Sequence, residues 1–158
     1  MNDSIKKVQL NSAFYFFYFK PTLFKQKLHK GLHRQSDLLY LFWYIVTLGK
    51  YQILYIRYKK SGELAHFSNI LPTIFKYRFM NNSDLQILHC FTYERYRGRQ
   101  LYSFSLSEIN IKFSDKLLWI GSHISNIASI KVIEKIGFKQ MFDVEKRTIF
   151  GIYYKINE

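Results

Sequence analysis

The sequence predicts a single α+β domain in which helices cover a mixed β-sheet. Three observations predict it: helical and strand-like patterns alternate along the 158 residues, 48% of the residues are apolar, and no tract rich in Gly, Ser or Pro divides the chain. A chain of this length can bury one core, and such an apolar composition is that of a globular protein. With 13 Tyr and 15 Phe, we expect a core filled by rings. One domain should span residues 1–158.

The amino-terminal half predicts one strand, two helices and a hairpin. In order, these are a strand over 11–19, a helix over 22–32, a helix from 36 or 37 to 48, and strands over 51–58 and 63–71. Pro21 ends the first strand, and Gly49 stands where a helix C-cap belongs. Ser61 and Gly62 supply the hairpin turn.

The carboxy-terminal half predicts a strand–turn–helix unit and then a strand–helix–strand unit. The ranges are a strand over 85–92, a helix over 101–109, a strand over 117–121, a helix over 126–136 and a strand over 148–156. The helix over 126–136 is the clearest, because Ile127, Ile130 and Ile133 recur on one face. Gly137 occupies the position of a left-handed C-cap, so that Phe138 should fold back on that face.

The chain is strongly basic, which limits the classes of partner. Lys and Arg number 24 against 11 Asp and Glu, which gives a formal charge of +13 and a pI near 9.8. This balance favours a nucleic acid, a membrane surface, an acidic protein or a phosphorylated ligand, and charge alone does not choose among them. A Lys-rich composition with no partner behind it explains the same numbers.

Cysteine usage and hydropathy predict a soluble, cytoplasmic chain. Cys90 is the only cysteine, which excludes an intrachain disulfide. Residues 1–11 carry no hydrophobic signal core, and the apolar run over 38–48 is much shorter than the roughly 20 residues that a membrane span needs. No metal-ligand spacing occurs, so we expect neither a metal nor a membrane span.

The turn after the 85–92 strand has the composition of an anion site. It reads Arg97-Gly98-Arg99-Gln100-Leu101-Tyr102 and leads into a predicted helix. A helix start exposes unpaired backbone N–H groups and carries the positive end of the helix dipole. Gly98 allows a close backbone approach, and the arginines add charge. This is the arrangement that binds a pyrophosphate, although a solvated basic turn would look the same.

Together with a second block, this turn resembles the GNAT superfamily of N-acetyltransferases. There the turn is written Q/R-x-x-G-x-G/A, and about 30 residues later N-x-x-A/S leads to E-K-x-G-F. Here the second block runs from Asn126 through Ser129 to Phe138. The resemblance covers residue 85 to the end. A looser similarity at residues 63–68 and 85–99 is to a GNAT subgroup associated with bacterial surface-polysaccharide synthesis.

The resemblance implies a fold, a co-substrate and a set of site residues. The fold is a central mixed, mostly antiparallel, splayed sheet flanked by helices, and the co-substrate is acetyl-CoA or another acyl-CoA. The backbone of Phe91 and Thr92 would pair with the pantetheine arm, Asn126 would hydrogen-bond the cofactor and Ser129 would line its path. Amides of the turn would hold the pyrophosphate; its residues are Arg97, Gly98, Arg99, Gln100, Leu101 and Tyr102.

Three positions depart from the family pattern. Gln100 stands where the turn usually has Gly, and a side chain is unfavourable there if φ is positive. Tyr102 replaces the last small residue, as in the polysaccharide-linked subgroup. Ile133 stands where the family has an acidic Tyr, and it has no proton to donate.

His66 is the candidate general base, because imidazole titrates near neutral pH, and Glu94 is the second candidate. A structural role with hydrogen bonds explains His66 as well. A role as a solvated partner of Arg95 or Arg97 explains Glu94 as well. His89 and His123 flank the expected sites. Cys90 is not expected to be a nucleophile, because direct transfer needs none.

The resulting prediction is an N-acyltransferase that acts by direct attack on a primary amine such as that of an amino sugar or a sugar nucleotide. Acylation of a protein or an aminoacyl-tRNA is an alternative, as is a GNAT-shaped binding module that has lost catalysis. The charge would suit an acidic partner such as tRNA or acyl carrier protein, the latter docking on the basic helix over 22–32. Dimerisation is compatible with the sequence.

Overall fold

The structure is a computed structural model that describes residues 8–11, 13–29, 37–74, 77–147 and 152–156. In chain order its elements are β1 Val8–Asn11, β2 Phe14–Phe19, α1 Asp37–Val46, β3 Gln52–Tyr58, β4 Leu64–Pro72, β5 Leu85–Thr92, α2 Leu101–Lys112, β6 Leu118–Ile120, α3 Ile127–Lys135, β7 Val144–Arg147 and β8 Ile152–Lys155. None of the helices in these residues is long and apolar enough to cross a bilayer.

Six of the strands form one sheet in sequence order, β1 to β6. Neighbours from β1 to β5 are antiparallel, while β6 lies parallel to β5 after the crossover through α2. β7 and β8 form a separate antiparallel pair, and a bridge between Tyr77 and Tyr153 ties β8 to the segment before β5. The predicted α+β class with a mixed, mostly antiparallel sheet is confirmed.

The sheet carries a hydrophobic cluster on each face. Side chains alternate along a strand, so β3 sends Leu54 and Ile56 to one cluster and Ile53 and Tyr55 to the other. The first cluster packs under α2 and also receives Phe138 from the end of α3. The second packs under α1 and consists mostly of rings; its members are Tyr40, Trp43, Tyr51, Ile53, Tyr55, Phe67 and Leu71. The expected ring-filled core therefore describes the α1 face better than the α2 face.

The helix predicted over 22–32 is wrong in its described part. Residues 22–29 form turns, with a bridge between Thr22 and Lys25, and residues 30–32 lie outside the described residues. Backbone groups of this segment form hydrogen bonds with tyrosine hydroxyls of the core in place of helical hydrogen bonds. Leu28 N–H donates to Tyr55 Oη at 2.9 Å, and Tyr51 Oη donates to Gln26 O at 2.6 Å. Tertiary contacts thus override a weak helical preference.

Most other predicted elements lie within a few residues of the observed ones. The strand predicted over 85–92 matches β5, and the helix over 101–109 extends to Lys112 as α2. Strands β1 and β7 were not predicted. The possible cap Ser36 and residues 148–151 of the last predicted strand lie outside the described residues.

Candidate functional site

Strands β5 and β6 pair over three residues and then separate. Leu85–Ile87 of β5 face Leu118–Ile120 of β6 in a parallel ladder, while β5 continues to Thr92. On the other side, β4 stays paired as far as Thr92, opposite His66. Beyond Ile87, therefore, the β6-facing edge of β5 has no strand partner among the described residues. This is the splayed opening that the resemblance implies.

An irregularity in β5 marks this opening. Phe67 faces Phe91 and Asn69 faces Leu88, so β5 has one residue more than β4 across this interval. His89 lies within this interval and has φ +47°, which is uncommon for a residue other than Gly. A bulge of this kind bends the strand and changes the direction of its backbone groups.

The backbone of the turn after β5 has positive φ at the position where the sequence predicts that a side chain would then be unfavourable. Gly98 has φ +72°, and Gln100 lies in the left-handed region at φ +58° and ψ +18°. A side chain at such a position costs about 1–2 kcal/mol relative to Gly. The Gln100 side chain makes no capping hydrogen bond to α2. Gln100 thus occupies a glycine conformation.

Unpaired amides line this turn. Arg97 N–H donates to Glu94 O at 3.0 Å, and Phe104 N–H donates to Gln100 O at 3.0 Å. Between them, no backbone N–H from Gly98 to Ser103 has an acceptor in the part of the chain that the structure describes. These amides stand at the positive end of the α2 dipole, which makes the turn a candidate anion site.

The second block begins α3 and contacts the first block directly. Asn126 is the N-cap of α3, and its side chain accepts a hydrogen bond from Ser129 N–H at 3.3 Å. Ser129 Oγ lies 3.1 Å from Tyr102 Oη on the first turn of α2. The two helix N-termini are thereby joined beside the opening. Gly137 has φ +97° and its N–H donates to Glu134 O, the expected left-handed C-cap.

His66 is fully buried beneath this site. Its Nδ1 lies 2.7 Å from Thr92 Oγ1 and its Nε2 lies 2.9 Å from Ser68 Oγ, which in turn lies 2.8 Å from Ser105 Oγ on α2. The imidazole has no exposed surface, and burial lowers its pKa to about 3. His66 lies opposite Thr92, at the end of β5. Its burial and lowered pKa, however, favour a positioning role over direct proton abstraction.

The remaining candidates are placed as follows. Glu94 is exposed, with Oε1 3.9 Å from an Arg97 guanidinium nitrogen. His89 packs its ring on Trp43 at 5.4 Å, and His123 Nδ1 lies 2.7 Å from Ser125 Oγ. Burial raises the pKa of Cys90 to about 12, which keeps the thiol protonated and unreactive.

Sequence reasoning missed the hydroxyl groups of the site. Tyr102 was assigned only a backbone role, yet its side chain joins α2 to α3. Burial raises the pKa of Tyr102 to about 12. Ser68 and Ser105 were not singled out, although they continue the chain of contacts from His66. The alternation of polar His66 and Ser68 within an apolar strand was the available signal.

Comparison with known proteins identifies the class to which this fold belongs. No protein-family model matches the chain, and no curated protein sequence matches it at a significant level. Solved structures do match, and the splayed sheet with its crossover helix is the fold of the GNAT acetyltransferases. The chain therefore has the GNAT fold.

Three of these structures illustrate the likeness. A GNAT family acetyltransferase from Elizabethkingia anophelis, solved with acetyl-CoA bound, has a TM-score of 0.57 and 14% identity over 86% of this chain and 82% of its own. Glucosamine-6-phosphate N-acetyltransferase from Arabidopsis thaliana has a TM-score of 0.54 and 14% identity, over 85% and 98%. An aminoglycoside 6'-N-acetyltransferase from Acinetobacter baumannii has a TM-score of 0.50 and 12% identity, over 80% and 85%.

Proposed function

We propose that the chain is a GNAT-superfamily N-acetyltransferase that moves an acetyl or other acyl group from coenzyme A to a primary amine. The observation that carries this proposal is the 3.1 Å contact between Tyr102 Oη and Ser129 Oγ. It joins the two blocks that resemble the family motifs, at the open edge of β5. This contact supports assigning the two weak patterns, some 30 residues apart, to one site.

The residues present fit an acyl-CoA. The unpaired amides from Gly98 to Ser103 suit a pyrophosphate, and Arg97 and Arg99 are exposed beside them. The free edge of β5 at Phe91 and Thr92 suits the pantetheine arm, whose amides would pair with it as an added strand. The Elizabethkingia structure, solved with acetyl-CoA bound, supports the same ligand class.

The chemistry is direct transfer. The amine nitrogen attacks the thioester carbonyl carbon, the C–S bond breaks, the amine loses a proton to a base and the departing sulfur takes one from an acid. Tyr102 is the group we assign as the acid, because a pKa of about 12 keeps its phenol protonated at neutral pH. Its hydroxyl contacts Ser129 in the first turn of α3, one turn before Ile133. It would thus supply the proton that Ile133 lacks.

The base remains a choice between two residues. Glu94 is exposed beside the turn, with its carboxylate 3.9 Å from an Arg97 guanidinium nitrogen, and would accept the amine proton directly. His66 would act through Thr92, whose hydroxyl it contacts at 2.7 Å. Replacing His66 should then change kcat with little change in the KM for acetyl-CoA. Replacing Glu94 should leave the Thr92 hydroxyl in place, because Thr92 is held by His66.

The acceptor we propose is an amine on a sugar or a sugar nucleotide. Two of the similar structures are named as a glucosamine-6-phosphate N-acetyltransferase and an aminoglycoside 6'-N-acetyltransferase, and the sequence resembles the polysaccharide-linked subgroup. The same proposal takes the protein to be a single cytoplasmic domain. It also allows an acidic partner or a dimer.

A binding module without catalysis is the second candidate. The left-handed Gln100, the missing acid at Ile133 and the inaccessible His66 favour it. Acylation of a protein or an aminoacyl-tRNA differs only in the acceptor.

A screen of acceptors tests the proposal. The chain is incubated with acetyl-CoA and amino sugars, sugar nucleotides, simple amines or aminoacyl-tRNA, and the free thiol is measured. Thiol release that depends on an amine supports the enzyme, and Tyr102→Phe should slow it about 10²–10⁴-fold. Acetyl-CoA binding without release on any acceptor would favour the binding module.

A further inference from the structure

A fully buried asparagine lies beside the bulge of β5. Asn69 of β4 is 0% exposed and faces Leu88, the residue before His89. Its cross-strand partner on β3, Ile53, belongs to the cluster under α1, so the Asn69 side chain lies on the face that rings fill. A carboxamide in such surroundings is unfavourable unless its polar atoms are hydrogen-bonded. The groups that Asn69 contacts therefore define its role.

Both ends of this carboxamide are hydrogen-bonded. Asn69 Nδ2 donates to the backbone oxygen of His89 at 3.3 Å, and Asn69 Oδ1 accepts a hydrogen bond from Tyr40 Oη at 3.1 Å. Tyr40 lies on α1 and is itself 0% exposed. His89 has φ +47°, a conformation that is unfavourable for a residue with a Cβ. Asn69 thus connects α1 to the strained residue of β5.

The bulge lies on the path that the proposed function gives to the thioester. In that proposal the pyrophosphate lies on the turn after β5, and the pantetheine arm pairs with Thr92 and then Phe91. An arm that runs along β5 in this direction continues toward His89. The strand is paired with β4 at Phe91 and again at Leu88, whereas a bulge leaves its extra residue outside the ladder. Asn69 therefore acts on the part of β5 that the ladder does not fix.

We propose that Asn69 is a positioning residue for acyl transfer, which holds the bulge of β5 in the conformation that presents its backbone to the thioester. This inference rests on the proposed function. Tyr40 contributes by fixing the carboxamide, because its hydroxyl proton occupies Oδ1 and leaves an Nδ2–H for His89 O. Without Asn69, His89 should leave the left-handed region, and the backbone groups of the bulge should change direction. The turn at Gly98 should stay as it is.

Steady-state kinetics of Asn69→Leu test the positioning role. With an amine acceptor, kcat should fall about 10–100-fold, because a misplaced thioester reacts slowly, while the KM for acetyl-CoA should stay within about twofold of the wild type. Adding His89→Gly to Asn69→Leu should recover about fivefold in kcat, since glycine adopts a positive φ without the steric cost. A residue that only supports the fold would give neither the split between kcat and KM nor the recovery.

Two further variants serve as a control and as a milder test. Leu71→Val is the control, because Leu71 is also 0% exposed on β4 and belongs to the same cluster but makes no hydrogen bond to the bulge through its side chain. It should melt at a lower temperature than the wild type and keep the wild-type kcat. Tyr40→Phe removes one hydroxyl and should lower kcat about threefold to tenfold, which tests the proposal even where Asn69→Leu does not fold.

Crystal structures of the wild type and of Tyr40→Phe and Asn69→Leu separate this inference from the proposed function. We expect His89 to leave positive φ in Asn69→Leu, whether or not an acceptor is known. Absence of turnover on every amine would contradict the proposed function, and the structures would still decide whether Asn69 holds the bulge. Three results would overturn the inference: an unchanged bulge in Asn69→Leu, wild-type kcat in both Asn69→Leu and Tyr40→Phe, or an equal loss of kcat in Leu71→Val.

Discussion

At the scale of single residues, the site combines a strained backbone position with a buried polar chain. Gln100 is held at φ +58°, and His66 is enclosed between Thr92 and Ser68. Neither feature can be obtained from residue type alone. A glutamine gives no sign of a left-handed conformation, and a strand histidine gives no sign of how deeply its strand lies. The family pattern, which has Gly at this position, indicated the conformation of Gln100. The burial of His66 follows only from the packing of α2 on β4.

Gln100→Gly should stabilise the domain, because glycine adopts the left-handed conformation without a steric penalty. We expect a gain of about 1 kcal/mol, which raises Tm by about 2–4 °C, together with tighter acetyl-CoA binding. Gln100→Ala is the control, since alanine keeps a Cβ and should give no gain. Equal stability of Gln100→Gly and Gln100→Ala in thermal melts would show that φ at this position carries no strain.

His66 should make stability depend on acid pH. Its folded pKa, about 3, lies below its ordinary value near 6.5, so the unfolded chain takes up the proton first. The contribution of neutral His66 to the free energy of unfolding is complete above about pH 6.5. It is lost as pH falls toward 3, with a slope of at most about 1.4 kcal/mol per pH unit. Urea unfolding at pH 7 and pH 5 should show a steeper loss in the wild type than in His66→Asn. Equal losses would place His66 in a less buried environment.

At the scale of elements, α3 has its N-cap inside the candidate site. Asn126 caps the helix through Ser129 N–H, so Asn126→Ala should lose about 0.5–2 kcal/mol of stability as well as any cofactor contact. Asn126→Asp separates the two effects. Aspartate is an equally good cap, yet its carboxylate repels an anionic ligand. We expect wild-type melting and weaker acetyl-CoA binding; unchanged binding would mean that Asn126 acts only on the helix.

The elements also show how far sequence reasoning reaches. β5, α2 and α3 were predicted because alternation, helical periodicity and the signals at Asn126 and Gly137 agree with one another. The helix over 22–32 failed because the backbone bonds of its described part are made by Tyr51 and Tyr55, far along the chain. In the site, the close backbone approach at Gly98 and the helix start at Asn126 follow from local pattern. The contact between the side chains of Tyr102 and Ser129 depends on how α2 meets α3, so the local pattern does not predict it.

At the scale of the whole molecule, the GNAT fold brings the 85–102 and 126–138 segments to one opening of the sheet. We propose above all that this opening binds acetyl-CoA through the turn at Gly98. A Cβ at Gly98 would meet no atom within 4 Å, so Gly98→Val acts through its φ of +72° and through blocked access to the amides. Gly137→Val is the matched control: its φ is also positive and its surroundings equally open, but it lies at the far end of α3.

The most direct test is therefore a thermal melt with and without acetyl-CoA. At 100 times the dissociation constant, binding to the native state contributes about 2.7 kcal/mol, which should raise the Tm of the wild type by about 5–10 °C. Gly137→Val should melt lower than the wild type but keep that shift, and Gly98→Val should lose it while remaining folded. No shift of the wild type at millimolar acetyl-CoA, or the same shift in Gly98→Val, would contradict the account.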